Sequence, residues 1–263
     1  MYSQFIVFLI FLFGSINIIR MVLFMVGSDV YAVHHALKKK NAIVKKKLPL
    51  FTVVIPAHNE ENTILRSLLS VAHSEYPKRK LQLIVIDDGS SDTTVAIVQN
   101  FLKEHPYVSA QLVTQENVGK AHALNNAMQN FAKGDLIMCL DADSAIEPEA
   151  LNNAAFYFND PKVVALSSNV KIRKTRTLLN LIQMYEYLVC YQMKRAQTLF
   201  NVEYIIGGIG STFRHATLKK VGYYDTNTIT EDIDLTMKFL KLGNKDHRVV
   251  YLPRPKPRRA TAP

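Results

Sequence analysis

Two aspartates separated by one residue follow an apolar segment in the middle of the chain. Residues 135–140 precede Asp141, Ala142 and Asp143, and their apolar run predicts a buried strand. Because residues i and i+2 of a strand point to the same side, we expect both carboxylates to face one spot. Carboxylate oxygens suit Mg²⁺ or Mn²⁺, which usually take their other ligands from substrate phosphates. An isolated Asp-x-Asp is common in surface turns, so the rest of the chain decides its interpretation.

Two further polar clusters also follow apolar strands. Pro-Ala-His-Asn-Glu-Glu at 56–61 follows a strand predicted at 51–55, and Asp-Asp-Gly-Ser at 87–90 follows one at 81–86. Helices are predicted at 62–74, 93–104 and 120–132, and another strand at 111–114. This alternation predicts an α/β fold, a mostly parallel sheet with helices on both faces. In such sheets ligands bind at the carboxyl ends of the strands, so the three clusters are expected to meet.

The second half of the chain has a looser pattern. Helices are predicted at 150–158, 178–200 and 233–242, and a strand at 163–167. The glycines at 207, 208 and 210 are typical of tight turns or of close approach to a ligand. An apolar stripe on the helix at 178–200 favours core packing, with contact to a membrane surface or an acceptor as the alternative. The stripe comprises Leu181, Tyr185, Leu188 and Gln192.

The N-terminal segment differs in kind from the rest of the chain. Residues 5–26 contain one charge, Arg20, and as a helix they would extend about 33 Å, enough to cross a bilayer. A secretory signal peptide is a rival interpretation, but the first four residues carry no basic side chain; a buried core helix is the other. Lysines at 38–40 and 45–47 follow, and such charge marks the cytoplasmic side. We predict a cell-membrane anchor with the remainder in the cytoplasm.

Charge and cysteine content narrow the classes of partner. Much of the net charge of +10 comes from those lysines and a basic C-terminal tail, which indicates attraction to a membrane surface. Since no recognisable reading element accompanies the basic residues, no nucleic-acid partner is expected. Cys139 and Cys190 lie in apolar segments and are expected to be buried free thiols in a reducing compartment.

Six motifs in order resemble those of family 2 glycosyltransferases with a GT-A fold. They are most similar to the processive membrane synthases of the poly-β-1,6-N-acetylglucosamine synthase type. The motifs are PAHNEE at 56–61, DDGS at 87–90, GK at 119–120, DAD at 141–143, GG at 207–208 and TED at 230–232. The resemblance implies a GT-A domain at 50–252, and composition predicts an anchor at 1–30, a basic linker at 31–49 and a disordered, proline-rich tail at 253–263. A Rossmann dehydrogenase would instead need Gly-x-Gly-x-x-Gly after the first strand.

The resemblance also assigns donor-binding roles. It implies that Ala57, Glu60 and Asp88 contact the uridine of a UDP-sugar, although Asp88 is also suited to forming a turn. Lys120 would approach the diphosphate or ribose, or merely be solvated. Asp141 would approach the ribose.

The implied chemistry is a single displacement at the anomeric carbon. Asp143 would hold the Mg²⁺ or Mn²⁺ ion that bridges the diphosphate and stabilises it as it leaves. Asp232 would be the general base that deprotonates the acceptor hydroxyl, with Glu231 as its orienting neighbour. The helix N-terminus is expected to favour ionised Asp232, which could also cap that helix. Inversion would then give a β-linkage.

One departure from the resemblance concerns the C-terminal side. The processive relatives carry a Gln-x-x-Arg-Trp motif after the base and then further membrane helices. This sequence contains no Trp and ends at Pro263. We therefore expect a C-terminally truncated synthase that keeps the donor site and lacks part of the acceptor site.

The function favoured by the sequence is transfer of a sugar, preferably N-acetylglucosamine, from a UDP-sugar to a growing polysaccharide. The alternatives are transfer of a single sugar to a lipid carrier and a catalytically dead domain that binds UDP. The expected partners are the UDP-sugar, a glycan or lipid-linked acceptor, the membrane and accessory synthase subunits.

Overall fold

The computed structural model describes residues 2–41, 48–171, 177–200, 205–228, 230–243 and 247–251. Within these residues the strands are β1 (Phe51–Ala57), β2 (Leu81–Asp88), β3 (Ser109–Gln115), β4 (Leu136–Cys139), β5 (Val163–Ser167), β6 (Ser211–Arg214) and β7 (Arg248–Tyr251). The α-helices are α1 (Tyr2–Asn41), α2 (Ile64–Ala72), α3 (Thr94–Glu104), α4 (Lys120–Asn126), α5 (Ala150–Tyr157), α6 (Leu178–Phe200), α7 (His215–Val221) and α8 (Glu231–Lys241).

The strands form one sheet in the order β3-β2-β1-β4-β6-β5-β7. Strands β3, β2, β1 and β4 are mutually parallel, whereas β6 runs antiparallel to both β4 and β5. In the β1–β2 register Ala57 lies opposite Asp87, and Cys139 of β4 lies opposite Val54. The carboxyl ends of these three neighbouring strands therefore lie along one edge, as the sequence predicts.

Apolar clusters cover both faces of the sheet. On one face Val53 and Ile55 of β1 pack with Leu68 of α2; on the other, Val54 packs with Leu124 of α4. Every residue of β1 and β2 is buried, which is why these strands are continuous apolar runs rather than alternating ones. The prediction of a mostly parallel sheet with helices on both faces is confirmed.

Three elements were not predicted from the sequence: β6, α7 and β7. Strand β6 begins immediately after the glycine-rich segment and has only four residues, so its pattern is too short to distinguish from a turn. Its antiparallel direction allows it to fill the position beside β4. The predicted helix at 120–132 also differs, because α4 ends at Asn126 and residues Ala127–Phe131 form a π-helical turn.

Helices α1 and α6 group together as a unit separate from the sheet. The Ser28 hydroxyl donates a hydrogen bond to Gln192, and the Arg195 guanidinium lies 5.0 Å from the Tyr191 ring centre. The prediction that the α6 stripe packs in a core is wrong for the apolar residues of the stripe. They are exposed, since α6 belongs with α1 and does not lie in the sheet core: Leu181 46%, Tyr185 66% and Leu188 44%.

Helix α1 contains the stretch Gln4–His34, which is long and apolar enough to cross a membrane. Length and composition are the basis of this assignment, and α1 continues without a break to Asn41. Of the basic linker, Lys45 to Lys47 lie outside the described residues, as does the predicted tail at 253–263.

We predict that the full chain sediments with membranes and resists extraction with alkaline carbonate. Replacing Phe11 and Ile16 together by Arg should release it, because each charge at the centre of a membrane helix costs about 3 kcal/mol. The matched control is Val33→Arg, at the end of the stretch, which should remain in the pellet. Equal solubility of all three proteins would contradict a membrane anchor.

Candidate active site

A cleft of about 270 Å³ lies at the carboxyl ends of β1, β2 and β4. All three predicted clusters contribute to it, so the sequence-based expectation that they meet is confirmed. The cleft includes the five residues assigned to the donor nucleotide and the one assigned to the metal. Its lining consists of Pro56, Ala57, His58, Glu60, Asp88, Lys120, Asp141, Ala142 and Asp143.

The two aspartates of the Asp-x-Asp motif reach this cleft for a different reason from the one the sequence suggested. Strand β4 ends at Cys139, so the strand rule for i and i+2 does not apply to them. They lie in a tight turn in which the Ser144 N–H donates to the Asp141 carbonyl at 3.0 Å. Both carboxylates still line the cleft, Asp141 half-buried and Asp143 exposed.

Asp88 organises the loop that precedes α4. Its Oδ1 accepts hydrogen bonds from Gln115 Nε2 at 2.7 Å and from the Val118 N–H at 3.1 Å. Its Oδ2 accepts one from the Gly119 N–H at 2.8 Å. The turn-forming role that the sequence also allowed for Asp88 is performed by Asp87, whose Oδ2 accepts a hydrogen bond from the Ser90 N–H at 3.1 Å. Asp88 thus fixes the backbone immediately before Lys120, and its contact with uridine stays a prediction.

His58 lines the cleft and Asn117 packs against it, although the sequence predicted no role for either residue. His58 Nδ1 lies 2.8 Å from the Asp88 carbonyl oxygen, and Asn117 Nδ2 lies 3.3 Å from the His58 ring. Gly89 makes this packing feasible, because it has a φ of +73° and a Cβ there would meet Asn117 N at 2.8 Å. The position of His58 inside the 56–61 motif was the sequence signal that could have assigned it to the site. No such signal accompanies Asn117.

Glu60 joins the end of β1 to the start of α2. Its carbonyl accepts hydrogen bonds from the Thr63 and Ile64 N–H groups, both at 3.0 Å, and its carboxylate accepts the Thr63 hydroxyl. Ala57 is buried at the last position of β1. Both line the cleft, as predicted, and the Glu60 carbonyl also accepts the first N–H group of α2.

Lys120 forms an ion pair with Asp141 across the cleft. Its Nζ donates to Asp141 Oδ1 at 2.6 Å. Burial alone would lower the pKa of Lys120, but the charge of Asp141 and the hydrogen bond to it raise the pKa above its ordinary value. The ammonium therefore remains protonated, and it is paired rather than merely solvated.

Asp232 lies close enough to this pair to be influenced by both charges. Its pKa is raised from 3.8 to about 6. Burial is the largest cause and the charge of Glu231 the second, since both disfavour the ionised form. The charge of Lys120 lowers the pKa and that of Asp141 raises it. The expectation that the helix N-terminus would favour ionisation is therefore wrong in net direction, because burial and neighbouring carboxylates outweigh it.

The backbone of Gly208 contacts the Asp232 carboxylate. Its backbone N–H donates a hydrogen bond to the Asp232 carboxylate and lowers its pKa. A Cβ at position 208 would lie 2.8 Å from Asp232 Oδ2, a distance that requires one group to shift. The glycine pair of the 207–208 motif thus gives the backbone access to the carboxylate at a position where a side chain would displace it.

The two cysteines differ in their surroundings. Cys139, at the end of β4, is fully enclosed, and burial raises the pKa of its thiol to about 12. The Tyr224 hydroxyl lies 3.7 Å from its Sγ. Cys190 on α6 is exposed, so the expectation of two buried thiols is correct for Cys139 alone.

The acidic residues of the cleft fit a divalent cation that is shared with a phosphate ligand. Among the residues that the structure describes, no three His, Cys, Asp or Glu side chains form a metal cluster. Mg²⁺ commonly binds through one or two carboxylates and completes its shell with substrate phosphates and water. Asp143 is exposed to the cleft, and Asp141 Oδ1 is already paired with Lys120. The donor set therefore suits an ion that arrives with a diphosphate.

Comparison with known proteins assigns the fold to a family. The model of "Glycosyl transferase family 2" matches residues 52–222. The chain belongs to glycosyl transferase family 2. The family match extends from the second residue of β1 to beyond β6 and includes every residue of the cleft, whereas Glu231 and Asp232 lie beyond it.

Curated relatives agree with this assignment. Poly-β-1,6-N-acetyl-D-glucosamine synthase of Staphylococcus epidermidis is 37% identical over 207 residues, which are 76% of this chain and 47% of that protein. The same enzyme of Staphylococcus aureus is 35% identical over 84% of this chain and 52% of its own length. The chain therefore spans about half the length of the curated relatives it matches.

Two solved structures show the GT-A fold. The mannosyltransferase PcManGT of Pyrobaculum calidifontis, in complex with GDP-Man and Mn²⁺, has a TM-score of 0.64 at 24% identity, covering 92% of this chain and 68% of that one. TarS 1–349 of S. aureus, in complex with UDP-GlcNAc, has a TM-score of 0.57 at 22% identity, covering 77% and 55%. The family 2 fold predicted from the motifs is confirmed.

We predict that the carboxyl group of Asp232 titrates near pH 6. Lys120→Met should raise this pKa further, because it removes the positive charge that favours the ionised form. Asp141→Asn should lower it, because it removes a like charge. Carbon-13 NMR titration, with Asp232→Asn to assign the signal, measures both shifts. Shifts of the same sign in the two variants would contradict the arrangement of charges.

Proposed function

We propose that the chain is the donor-binding and catalytic domain of a membrane-anchored, inverting glycosyltransferase that uses a UDP-sugar. The observation that carries the proposal is the convergence of the 56–61, 87–90 and 141–143 clusters on one cleft, with Asp232 beside its ion pair. UDP-N-acetylglucosamine is the favoured donor, since the relatives with 35 to 37% identity are poly-N-acetylglucosamine synthases. A glycan is the favoured acceptor for the same reason.

The donor site separates naturally into a nucleoside end and a diphosphate end. Ala57, Glu60 and Asp88 form the nucleoside end, where the neutral Ala57 leaves room for the base. Asp141 and Lys120 lie between the two ends, and Lys120 is the group that would exchange its partner Asp141 for a diphosphate oxygen. Such an exchange replaces one ion pair with another, so it does not leave the ammonium unpaired.

Asp143 would hold the divalent cation, Mg²⁺ or Mn²⁺. When bound, the cation supplies charge neutralisation for the leaving diphosphate. The Mn²⁺ present in the PcManGT structure is consistent with this choice, and the exposure of Asp143 to the cleft gives it direct access.

Asp232 would accept the proton of the attacking hydroxyl. A base with a pKa of about 6 is mostly ionised at neutral pH and binds a proton more tightly than an ordinary aspartate, which suits general base catalysis. Glu231 contributes to that pKa through its charge. The hydroxyl oxygen attacks the anomeric carbon, the bond to the diphosphate breaks on the opposite face, and the configuration inverts.

The proposal includes membrane anchoring with the catalytic domain on the cytoplasmic side. The apolar stretch Gln4–His34 of α1 and the lysines that follow this stretch in the sequence support it. In that compartment the nucleotide-sugar is available and a lipid-linked or polymeric acceptor can be reached at the membrane surface. The proposal includes accessory synthase subunits as partners, because the relatives with 35 to 37% identity are polysaccharide synthases.

A panel of radiolabelled UDP-sugars, incubated with membranes that contain the chain, tests the proposal. We expect incorporation or hydrolysis of UDP-N-acetylglucosamine above that of the other sugars. Short lipid-linked product would indicate a single-sugar transferase. Binding of UDP without transfer or hydrolysis from any donor would indicate a catalytically dead nucleotide-binding domain and would overturn the proposed activity.

We predict that Asp143→Ala abolishes the effect of Mn²⁺ on UDP binding, because the cation loses its protein ligand. Isothermal titration calorimetry with UDP, with and without Mn²⁺, measures the effect. Glu147→Ala is the matched control, since it removes an exposed acidic side chain four residues further along the same loop. If Mn²⁺ strengthens UDP binding equally in Asp143→Ala and in the wild type, Asp143 is not the metal ligand.

We predict that Asp232→Asn lowers kcat by about 10²- to 10⁴-fold while UDP affinity changes by less than a few-fold. In the wild type, kcat should fall about tenfold per pH unit below pH 6, because the protonated carboxyl cannot accept the acceptor's proton. Asp234→Asn is the control on the same helix; Asp234 is ion-paired with Lys238 at 3.0 Å. A rate that is independent of pH between 5 and 7 would contradict the role of Asp232.

A further inference from the structure

A serine hydroxyl is buried in the apolar face of α2. Ser67 has no exposed surface, and its neighbours on that face, Ile64, Leu68 and Val71, are equally buried in the core. A hydroxyl group that is removed from water without a hydrogen-bond partner is unfavourable by several kcal/mol on apolar transfer scales. Its partners therefore indicate why a polar residue occupies this position.

The partners of Ser67 are backbone carbonyls of the turn that carries Asp143. Ser67 Oγ donates to the Ala142 carbonyl at 2.6 Å and also makes a short contact with the Ser144 carbonyl. The adjacent Arg66 donates from Nη2 to the carbonyl of Asp143 itself. Three successive carbonyl groups, at 142, 143 and 144, are thus held by two side chains of one helix.

Helix α2 also holds the chain just beyond this turn. The Ser70 hydroxyl, one turn further along the helix, accepts a hydrogen bond from the Ile146 N–H at 3.1 Å. The turn itself has a single internal backbone hydrogen bond, from Ser144 to Asp141. The direction in which Asp143 points is consequently determined by α2 more than by the strand that precedes it.

The orientation of Asp143 matters because small divalent cations have strict requirements. Mg²⁺ demands near-octahedral geometry at short distances, and groups that orient a ligating carboxylate contribute to affinity although they never touch the metal. Asp143 is exposed, so the cleft walls do not restrain its side chain. Its Oδ1 accepts a hydrogen bond from Ser144 Oγ at 3.0 Å, which comes from the same turn. The orientation of the carboxylate therefore depends on the position of the backbone of this turn.

We propose that Ser67 is a positioning residue for the metal site, which fixes the 142–144 peptide groups so that the Asp143 carboxylate is presented to a divalent cation shared with the diphosphate. Arg66 assists from the exposed side of the same helix. This inference rests on the proposed function and adds to it two residues of α2 that lie outside the six sequence motifs.

A purely structural role for Ser67 would have a different signature. Loss of a buried hydroxyl that only stabilises the fold lowers the melting temperature and leaves the thermodynamic coupling between UDP and metal unchanged. Loss of a positioning group weakens that coupling, defined as the ratio of the UDP Kd without Mn²⁺ to the UDP Kd with saturating Mn²⁺. The coupling separates the two roles because both Kd values of the ratio are measured on the same variant.

The test measures this ratio by calorimetry for the wild type, Ser67→Ala and Ser74→Ala. Ser74 is a matched control because it is also a buried serine, located just after α2, and its hydroxyl interacts with Lys78. We expect Ser67→Ala to reduce the coupling about 10-fold, in the range found for groups that orient metal ligands. UDP binding without metal should be unchanged in both variants, and Ser74→Ala should keep the wild-type coupling.

Arg66→Ala provides a second variant should Ser67→Ala not fold. Arg66 is exposed, so its removal leaves the core intact, and we expect a smaller reduction of the coupling. The direction of this change is informative. Removing a positive charge near the metal would by itself favour cation binding and increase the coupling, so a reduction indicates lost positioning. Wild-type coupling in both variants, or an equal loss of UDP affinity with and without Mn²⁺, would overturn the positioning role. Absence of coupling in the wild type would instead overturn the metal in the proposed function, and this inference with it.

Discussion

The ion pair between Lys120 and Asp141 balances a cleft that is otherwise acidic. Carboxylates accumulate there because β1, β2 and β4 end at the same edge of the sheet, and Glu231 and Asp232 add to them from α8. One ammonium group at 2.6 Å from Asp141 cannot neutralise them all. Burial is the largest cause of the raised pKa of Asp232, and the charges of Glu231 and Asp141 add to it. A diphosphate could enter such a cleft only with cationic help, which connects the electrostatics to the proposed metal.

Helix α2 connects two parts of the cleft, Glu60 and the turn after β4. Its first turn is fixed to Glu60 by backbone hydrogen bonds, and its side chains at Arg66 and Ser67 hold the turn after β4. Because the apolar face between these points is packed into the core, the helix acts as a rigid spacer. The spacing between Glu60 and the turn at 142–144 therefore depends on core packing as much as on the residues that line the cleft.

The sequence was sufficient for the parts of the fold with strong periodicity. Strands β1 and β2 are continuous apolar runs followed by polar motifs, and this pattern determines both their structure and the edge at which ligands bind. It was insufficient where tertiary contacts decide the structure: β6 has only four residues, and Asn117 meets the His58 ring through contacts that form only on folding. The high pKa of Asp232 was missed because burial is a property of the fold, whereas the helix start was visible in the sequence.

The contrast between the two cysteines has a practical consequence for spectroscopy. A thiol with a pKa of about 12 inside the core presents almost no thiolate at neutral pH, whereas the thiol of Cys190 is exposed on α6. Reactivity follows thiolate content and access, so a maleimide dye would attach selectively to Cys190. The native sequence thus offers a single labelling position on α6, from which the environment of this helix can be followed by fluorescence without removing any cysteine.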